Sequence, residues 1–120
     1  ETLKTIKKVY NEHHYLVDPH TAVGVKVFGD YRNKVGGKTK TVVDATASPF
    51  KFNRSVLAAL TGKEYIKNID ELYLLEELSR QTGLSVPVML QNLGNKKIRH
   101  HLVYDKEDAQ KSLQDILKIQ

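Results

Sequence analysis

The fold class predicted for this chain depends on one segment, Thr39-Lys40-Thr41-Val42-Val43-Asp44-Ala45-Thr46. It is rich in β-branched residues and is bounded by Gly36-Gly37 and Ser48-Pro49, a pattern that predicts a β-strand. Because helical patterns account for most of the remaining chain, we predict a mainly helical α/β fold with one clear strand at about 39–46. A lone strand leaves its backbone hydrogen-bonding groups unpaired, so we expect its neighbours in a larger domain. The alternative is a small helical domain that folds by itself.

Capping residues predict where the helices begin and end. Asp18-Pro19 opens the second helix, because Asp accepts hydrogen bonds from free helix amides and Pro suits the first helical position. Valines alternate over 23–27 as in a strand, but the cap favours a helix that ends at Gly36-Gly37. The other predicted helices are one at the start of the chain, one capped by Asn53 and ended by Gly62, one opened by an Asn68–Glu71 capping box and ended by Gly83, and one capped by Asp105.

Apolar residues at helical spacing predict the faces that pack in the core. Leu72, Leu75 and Leu78 form such a stripe, which we interpret as core. Leu113 and Ile116 lie on one face of the last helix. Between these helices, 87–93 predicts a short helical turn, and 98–104 fits either a strand or a loop.

Composition argues against several classes of protein. The 120-residue chain carries a net charge of +5, but its basic residues are spread along the sequence, which favours a solvated surface over a nucleic-acid interface. The absence of cysteine excludes disulfides and cysteine-ligated zinc and favours a cytoplasmic enzyme. No apolar run approaches the ~18 residues of a membrane span. With no signal peptide, no initial Met and an uncapped first helix, we expect a piece of a longer chain.

Two segments resemble stretches of a known enzyme family. The first is Leu16-Val17-Asp18-Pro19-His20-Thr21-Ala22-Val23-Gly24, and the second is Asp44-Ala45-Thr46-Ala47-Ser48-Pro49-Phe50-Lys51-Phe52. They are similar to the Asp-Pro-His-Thr-Ala-Val-Gly and Thr-Ala-His/Ser-Pro-x-Lys-Phe stretches of bacterial and fungal threonine synthases, and their order and spacing also fit. Weaker similarity continues to the C-terminus. Residues 1–120 therefore resemble, as one structural unit, the C-terminal portion of a threonine synthase.

This resemblance implies a fold type II pyridoxal-phosphate enzyme, a lyase of threonine biosynthesis that converts O-phospho-L-homoserine and water to L-threonine and phosphate. The cofactor is an electron sink in such chemistry, and a lysine forms the Schiff base with it. In this family the lysine and the loop that cradles the cofactor phosphate lie upstream of the two segments. We therefore expect this chain to rely on the N-terminal part of the same protein, to contain no catalytic residue of its own and to be inactive alone.

The resemblance also implies a cofactor contact at Thr46, whose hydroxyl would hydrogen-bond the pyridine nitrogen. Its position at the end of the predicted strand fits, because ligands bind at the carboxyl ends of strands in open α/β sheets. A neutral hydroxyl, unlike an aspartate, would not keep that nitrogen protonated. The structural alternative is a threonine that simply ends a strand.

Five further residues are candidates for the wall of the active site. His20, Thr21 and Asp18 lie at a helix start that faces cofactor or substrate if the resemblance holds. His20 is suited to donate a hydrogen bond to an oxygen or to assist a proton transfer, whereas the Asp18 carboxylate is engaged as a cap. Ser48 and Lys51 carry a hydroxyl and an ammonium group that suit an anionic substrate. Many relatives have histidine at the position of Ser48, which weakens the transfer of a role to it.

Two other functions compete with this interpretation. An autonomous basic helical module that binds RNA or DNA would show affinity that falls steeply with salt. A sister pyridoxal-phosphate dehydratase would usually carry Glu-Pro followed by small residues where this chain has Asp18-Pro19-His20-Thr21, which argues against that enzyme. The histidines His13, His14 and His20 fit no standard zinc spacing, so we predict no metal site.

Overall fold

The computed structural model describes residues 1–119 and shows α-helices joined by irregular segments and short 3₁₀ turns. The helices are α1 Thr2–His13, α2 Pro19–Val35, α3 Asn53–Thr61, α4 Glu71–Thr82 and α5 Ala109–Leu117. The 3₁₀ turns are Pro49–Phe52, Glu64–Ile66, Val88–Leu90, Leu93–Asn95 and Lys106–Asp108. Within residues 1–119 no helix is long and apolar enough to cross a bilayer. The predicted helical character is confirmed.

The predicted strand at 39–46 is wrong. The segment is irregular and exposed, with Val42 92% exposed, and residues 1–119 contain no strand at all. β-Branched residues supply only a local preference, whereas a strand also needs a partner for its backbone ladder, and no part of the described chain provides one. Arg32 at the end of α2 instead donates to the carbonyls of Gly37 and Thr39, at 3.0 and 3.3 Å.

Helix α3 is the centre of the core. It packs against α1 and against α4, and α1 also packs against α2. The fully buried apolar side chains include Ile6, Val56, Leu57, Leu74 and Leu78. These side chains come from α1, α3 and α4, so three helices that are separated in sequence share one apolar core.

The core face of α4 differs by one position from the predicted stripe. Leu75 and Leu78 are buried as predicted, but Leu72 is 40% exposed, and Leu74 is fully buried in its place. Positions 75 and 78 follow position 74 by one and four residues, so the three still form one helical face. Helix α3 packs against α4, and the buried face of α4 is the one that carries these three leucines.

Most predicted helix ends are confirmed, and the exceptions in this part of the chain are the starts of α3 and α4. Gly36 and Gly83 end α2 and α4 with φ values of 66° and 72°, in the left-handed region that favours glycine. The cap of α4 is Asp70, whose carboxylate accepts from the Leu72 amide at 2.8 Å, and the capping box predicted from Asn68 is therefore wrong. Asn53 lies inside α3 rather than before it.

After α4, Val86 and Leu90 still pack against the core, but residues 91–119 are largely exposed. Residues 98–104 form an exposed loop, which decides between the two alternatives left open by the sequence. Asp105 precedes a 3₁₀ turn and makes no side-chain capping hydrogen bond, so its predicted role as a cap is wrong. Helix α5 follows that turn and leaves Leu113 and Ile116 exposed.

Candidate functional site

The structure brings the two resembling segments together. The imidazole of His20, in the first turn of α2, meets the ring of Phe52 edge to face, with 4.9 Å between the ring centroids and 66° between their planes. Phe52 ends the 3₁₀ turn that leads into α3. The contact joins positions that are 32 residues apart, and it was not predicted from the sequence.

Asp18 is the buried centre of this site. Its side chain is fully buried and caps α2 by accepting from the backbone amides of His20, at 2.8 Å, and Thr21, at 3.4 Å. The Thr21 hydroxyl donates to the other carboxylate oxygen, and the His20 ring places Nδ1 3.1 Å from the first one. The predicted cap is confirmed, and the same carboxylate also holds the neighbouring side chains.

Hydrogen bonding keeps the Asp18 carboxylate ionised. Burial raises the pKa of this carboxyl group, but hydrogen bonds from Thr21 and His20 outweigh burial, and the pKa lies below its ordinary value. The positive end of the α2 dipole favours the anion further. The site therefore contains a buried negative charge beside an exposed imidazole.

Ser48 precedes the 3₁₀ turn Pro49–Phe52, and Lys51 lies within it, next to Phe50. The Ser48 hydroxyl accepts from the Phe50 amide at 3.2 Å and so caps the 3₁₀ turn, while the Phe50 ring is buried. Lys51 points into solvent. Ser48 thus has a local structural role, and the ammonium group of Lys51 is accessible to an anion.

Thr46 lies three residues before Pro49 in the irregular segment, and it is exposed. With the strand absent, the predicted placement of Thr46 at a strand end is wrong for the described chain. Its role as a cofactor contact stays a prediction.

A second buried carboxylate, Glu77 in α4, was missed from the sequence. It accepts hydrogen bonds from Arg80, Tyr65 and Gln81, which lower the pKa of Glu77 to about 2. Arg80 lies three residues away on the same helix, a spacing that alone looks like an ordinary surface pair. The network ties α4 to the turn at Glu64–Ile66, and His20 is not a member of it.

No group of histidine or acidic side chains within residues 1–119 has the arrangement of a metal site. The basic run at 96–101 is exposed and irregular. Within the described residues, neither the histidine and acidic side chains nor the basic run adds a second candidate site to the one at the start of α2.

Comparison with known proteins identifies the family. The model of the threonine synthase C-terminal domain matches residues 21–111, more than half of the chain. The chain belongs to the threonine synthase C-terminal family. It is 42% identical over 63 residues to threonine synthase of Schizosaccharomyces pombe and 43% identical over 67 residues to threonine synthase of Saccharomyces cerevisiae, in each case over 52% of this chain.

The relatives in this family are much longer proteins. The match covers 12% of the length of the Schizosaccharomyces pombe protein and 13% of that of Saccharomyces cerevisiae. Thr21, Thr46, Ser48 and Lys51 lie inside the span that the threonine synthase family model matches. His20 lies immediately before this span, so the assignment of His20 to the candidate site depends on the sequence motif and on the contact with Phe52.

Proposed function

We propose that this chain is the C-terminal part of a threonine synthase, a pyridoxal-phosphate-dependent lyase that converts O-phospho-L-homoserine and water to L-threonine and phosphate. The proposal is carried by one observation: the two family motifs meet through His20 and Phe52 in a chain that matches the family over residues 21–111. The isolated chain is proposed to be inactive, because the lysine that binds the cofactor covalently in this family lies upstream of these motifs.

The residues present are chemically suited to pyridoxal phosphate. Thr46 offers an exposed hydroxyl that can donate to the pyridine nitrogen, and Lys51 offers an exposed ammonium group for an anionic oxygen. When bound, the cofactor supplies an electron sink for carbanions of the amino-acid substrate. The protein's contribution from this chain is a neutral hydroxyl for the ring nitrogen, a positive charge for a phosphate or carboxylate, and an imidazole at His20.

An unpartnered apolar stripe on α2 supports a larger assembly. Val23, Val27, Tyr31 and Val35 are spaced four residues apart and lie on one side of the helix, each about half exposed or more. The exposed segment 39–46 follows them; it carries β-branched side chains, and its backbone is not paired in a strand. We propose that the N-terminal part of the same protein covers this stripe and pairs with this segment as a neighbouring strand. The lone strand would then form only in the whole enzyme.

A chimeric enzyme tests the proposal. The aligned C-terminal stretch of the Schizosaccharomyces pombe threonine synthase is replaced by this chain, and phosphate release and threonine formation from O-phospho-L-homoserine are measured. We expect the chimera to form threonine and the isolated chain to form none. A folded chimera that binds pyridoxal phosphate but forms no threonine would contradict the proposed function.

Thr46 is tested in the same chimera. Thr46→Val keeps the shape of the side chain but removes the hydroxyl, and the loss of a neutral hydrogen bond of about 0.5–1.5 kcal/mol predicts roughly a 2- to 13-fold lower kcat/KM. Thr46→Ser restores the hydroxyl and should restore most of the activity. The matched control is Thr41→Val, which alters an exposed threonine of the same segment. Equal activity of Thr46→Val and Thr41→Val would exclude the cofactor contact.

A further inference from the structure

His20 is held in one orientation although it lies at the surface. Its side chain is 71% exposed, yet Nδ1 lies 3.1 Å from an Asp18 carboxylate oxygen, and the Phe52 ring contacts the imidazole from another side. An exposed histidine with no function would gain little from two such restraints, because fixing a side chain costs conformational entropy.

Asp18 cannot turn away from this arrangement. One of its carboxylate oxygens also accepts from two backbone amides at the start of α2, and the other accepts from the Thr21 hydroxyl. The carboxylate is fully buried, so rotation would leave a buried charge without its donors. Nδ1 of His20 therefore lies against a carboxylate whose own position is fixed by the fold.

The carboxylate also determines which ring nitrogen of His20 carries the proton. An ionised carboxylate only accepts hydrogen bonds, so Nδ1 must be the donor at a separation of 3.1 Å. In the neutral ring one nitrogen is a donor and the other an acceptor, which leaves the lone pair on Nε2. Nε2 lies on the far side of the ring from Nδ1, away from the buried carboxylate.

We infer that Asp18 is a positioning residue that keeps neutral His20 in its Nδ1–H tautomer, so that Nε2 accepts a hydrogen bond or a proton in the active site. The nature of the site rests on the proposed function, but the tautomer does not. The sequence left two roles open for His20, donation to an oxygen and assistance in proton transfer. In the neutral ring, the geometry selects the acceptor role for Nε2.

The acceptor role specifies the ligand group that neutral His20 meets. That group must carry a hydrogen, as an ammonium, a hydroxyl or a water does, and a fully ionised phosphate oxygen is excluded. If the O–H or N–H bond of that group breaks, its proton forms a new bond to Nε2, and the electron pair stays on the ligand atom. The imidazolium that results is stabilised by the buried charge of Asp18.

The tautomer is measured directly on the ¹⁵N-labelled chain by long-range ¹H–¹⁵N correlation NMR at a pH of about 8, well above the ordinary histidine pKa. We expect the Nδ1–H tautomer at His20. Asp18→Asn keeps an oxygen that accepts from Nδ1 and should preserve the tautomer. Asp18→Ser keeps a good helix cap but is too short to reach the ring, and the Nδ1–H form should lose its dominance. His14 is the internal reference and should not respond to either variant.

Circular dichroism of the same samples separates positioning from capping. Asn and Ser both cap helices well, so a purely structural Asp18 predicts little change in helix content and no change in the His20 tautomer. An Nε2–H tautomer in the unsubstituted chain would overturn the inference. A persistent Nδ1–H tautomer in folded Asp18→Ser would do the same.

The chimeric threonine synthase supplies a second measurement. His20→Asn keeps an N–H donor near the position of Nδ1 but has no atom at the position of Nε2. We expect kcat to fall by about 10²-fold or more with KM little changed, the pattern of a lost acid–base group. An unchanged kcat in an active chimera counts against the inference. If the unsubstituted chimera is itself inactive, the proposed function fails, and the NMR result decides the tautomer by itself.

Discussion

Two neighbouring leucines in α4 provide a sharp test of how the helices pack. Leu74 is fully buried between helices, whereas Leu72 is 40% exposed, although the sequence pattern placed Leu72 in the core. We compare Leu74→Ala with Leu72→Ala. Both substitutions replace leucine by alanine inside the same helix, so the change in helix propensity is nearly the same and cancels in the comparison.

The expected difference follows from burial. Removing about three buried carbon groups costs ~2.4 kcal/mol in transfer free energy at ~0.8 kcal/mol each. A cavity adds to this at Leu74, and Leu→Ala changes at fully buried sites cost about 3–5 kcal/mol in total. Leu72 retains roughly six-tenths of the transfer cost, ~1.4 kcal/mol, and leaves no closed cavity because solvent reaches it. Leu74→Ala should therefore lower the free energy of unfolding by about 2 kcal/mol more than Leu72→Ala.

Urea unfolding followed by circular dichroism at the helix band measures this difference. With a slope of about 1–3 kcal/mol per molar urea, the Leu74→Ala midpoint should lie roughly 0.7–2 M below that of Leu72→Ala. The total stability of a domain is only about 5–15 kcal/mol, so both variants are also measured with a stabilising osmolyte. Equal midpoints, or a larger loss at Leu72, would refute the packing of α4 described here.

Three further predictions concern charge and backbone conformation. The pKa of Glu77, about 2, lies below its ordinary value of 4.5, so its ionised form stabilises the folded chain above pH 4.5, and this stabilisation is lost as the pH falls from there through 2. Glu77→Gln should therefore flatten the pH dependence of the free energy of unfolding over this interval. An unchanged pH dependence would contradict the network with Arg80. The Arg54 guanidinium donates to the carbonyls of Ile66 and Ile69, which precede α4, at 2.9 and 2.6 Å. A lysine ammonium cannot reproduce both bonds, so Arg54→Lys should lower the free energy of unfolding in urea by about 1–2 kcal/mol. An unchanged free energy of unfolding would count against these bonds. Gly83→Ala places a side chain in the left-handed region and should lower the free energy of unfolding by about 1 kcal/mol. Gly29→Ala lies inside α2 with open space around it and should raise the free energy of unfolding by about 0.5–1 kcal/mol. Thermal unfolding that shifts in the same direction for both variants would be inconsistent with these backbone conformations.

The functional motifs could be found in the sequence, but their spatial relation could not. Asp18 was predicted as a cap from its own position before Pro19, and the structure confirms it. The contact between His20 and Phe52 depends on how α1 and α3 orient the chain, which no local pattern encodes. The Glu77 network was missed for the same reason, since its partner Tyr65 lies in a turn outside α4.

What the sequence by itself determined is the set of local events. Asp18, Gly36 and Gly83 mark helix ends through interactions that act within about four residues, so the printed order of residues suffices to predict them. The tertiary structure decided which face of α4 is buried and left 39–46 without strand partners. Burial and strand pairing depend on groups that are distant in sequence, so a local run of β-branched residues does not by itself decide whether a strand forms.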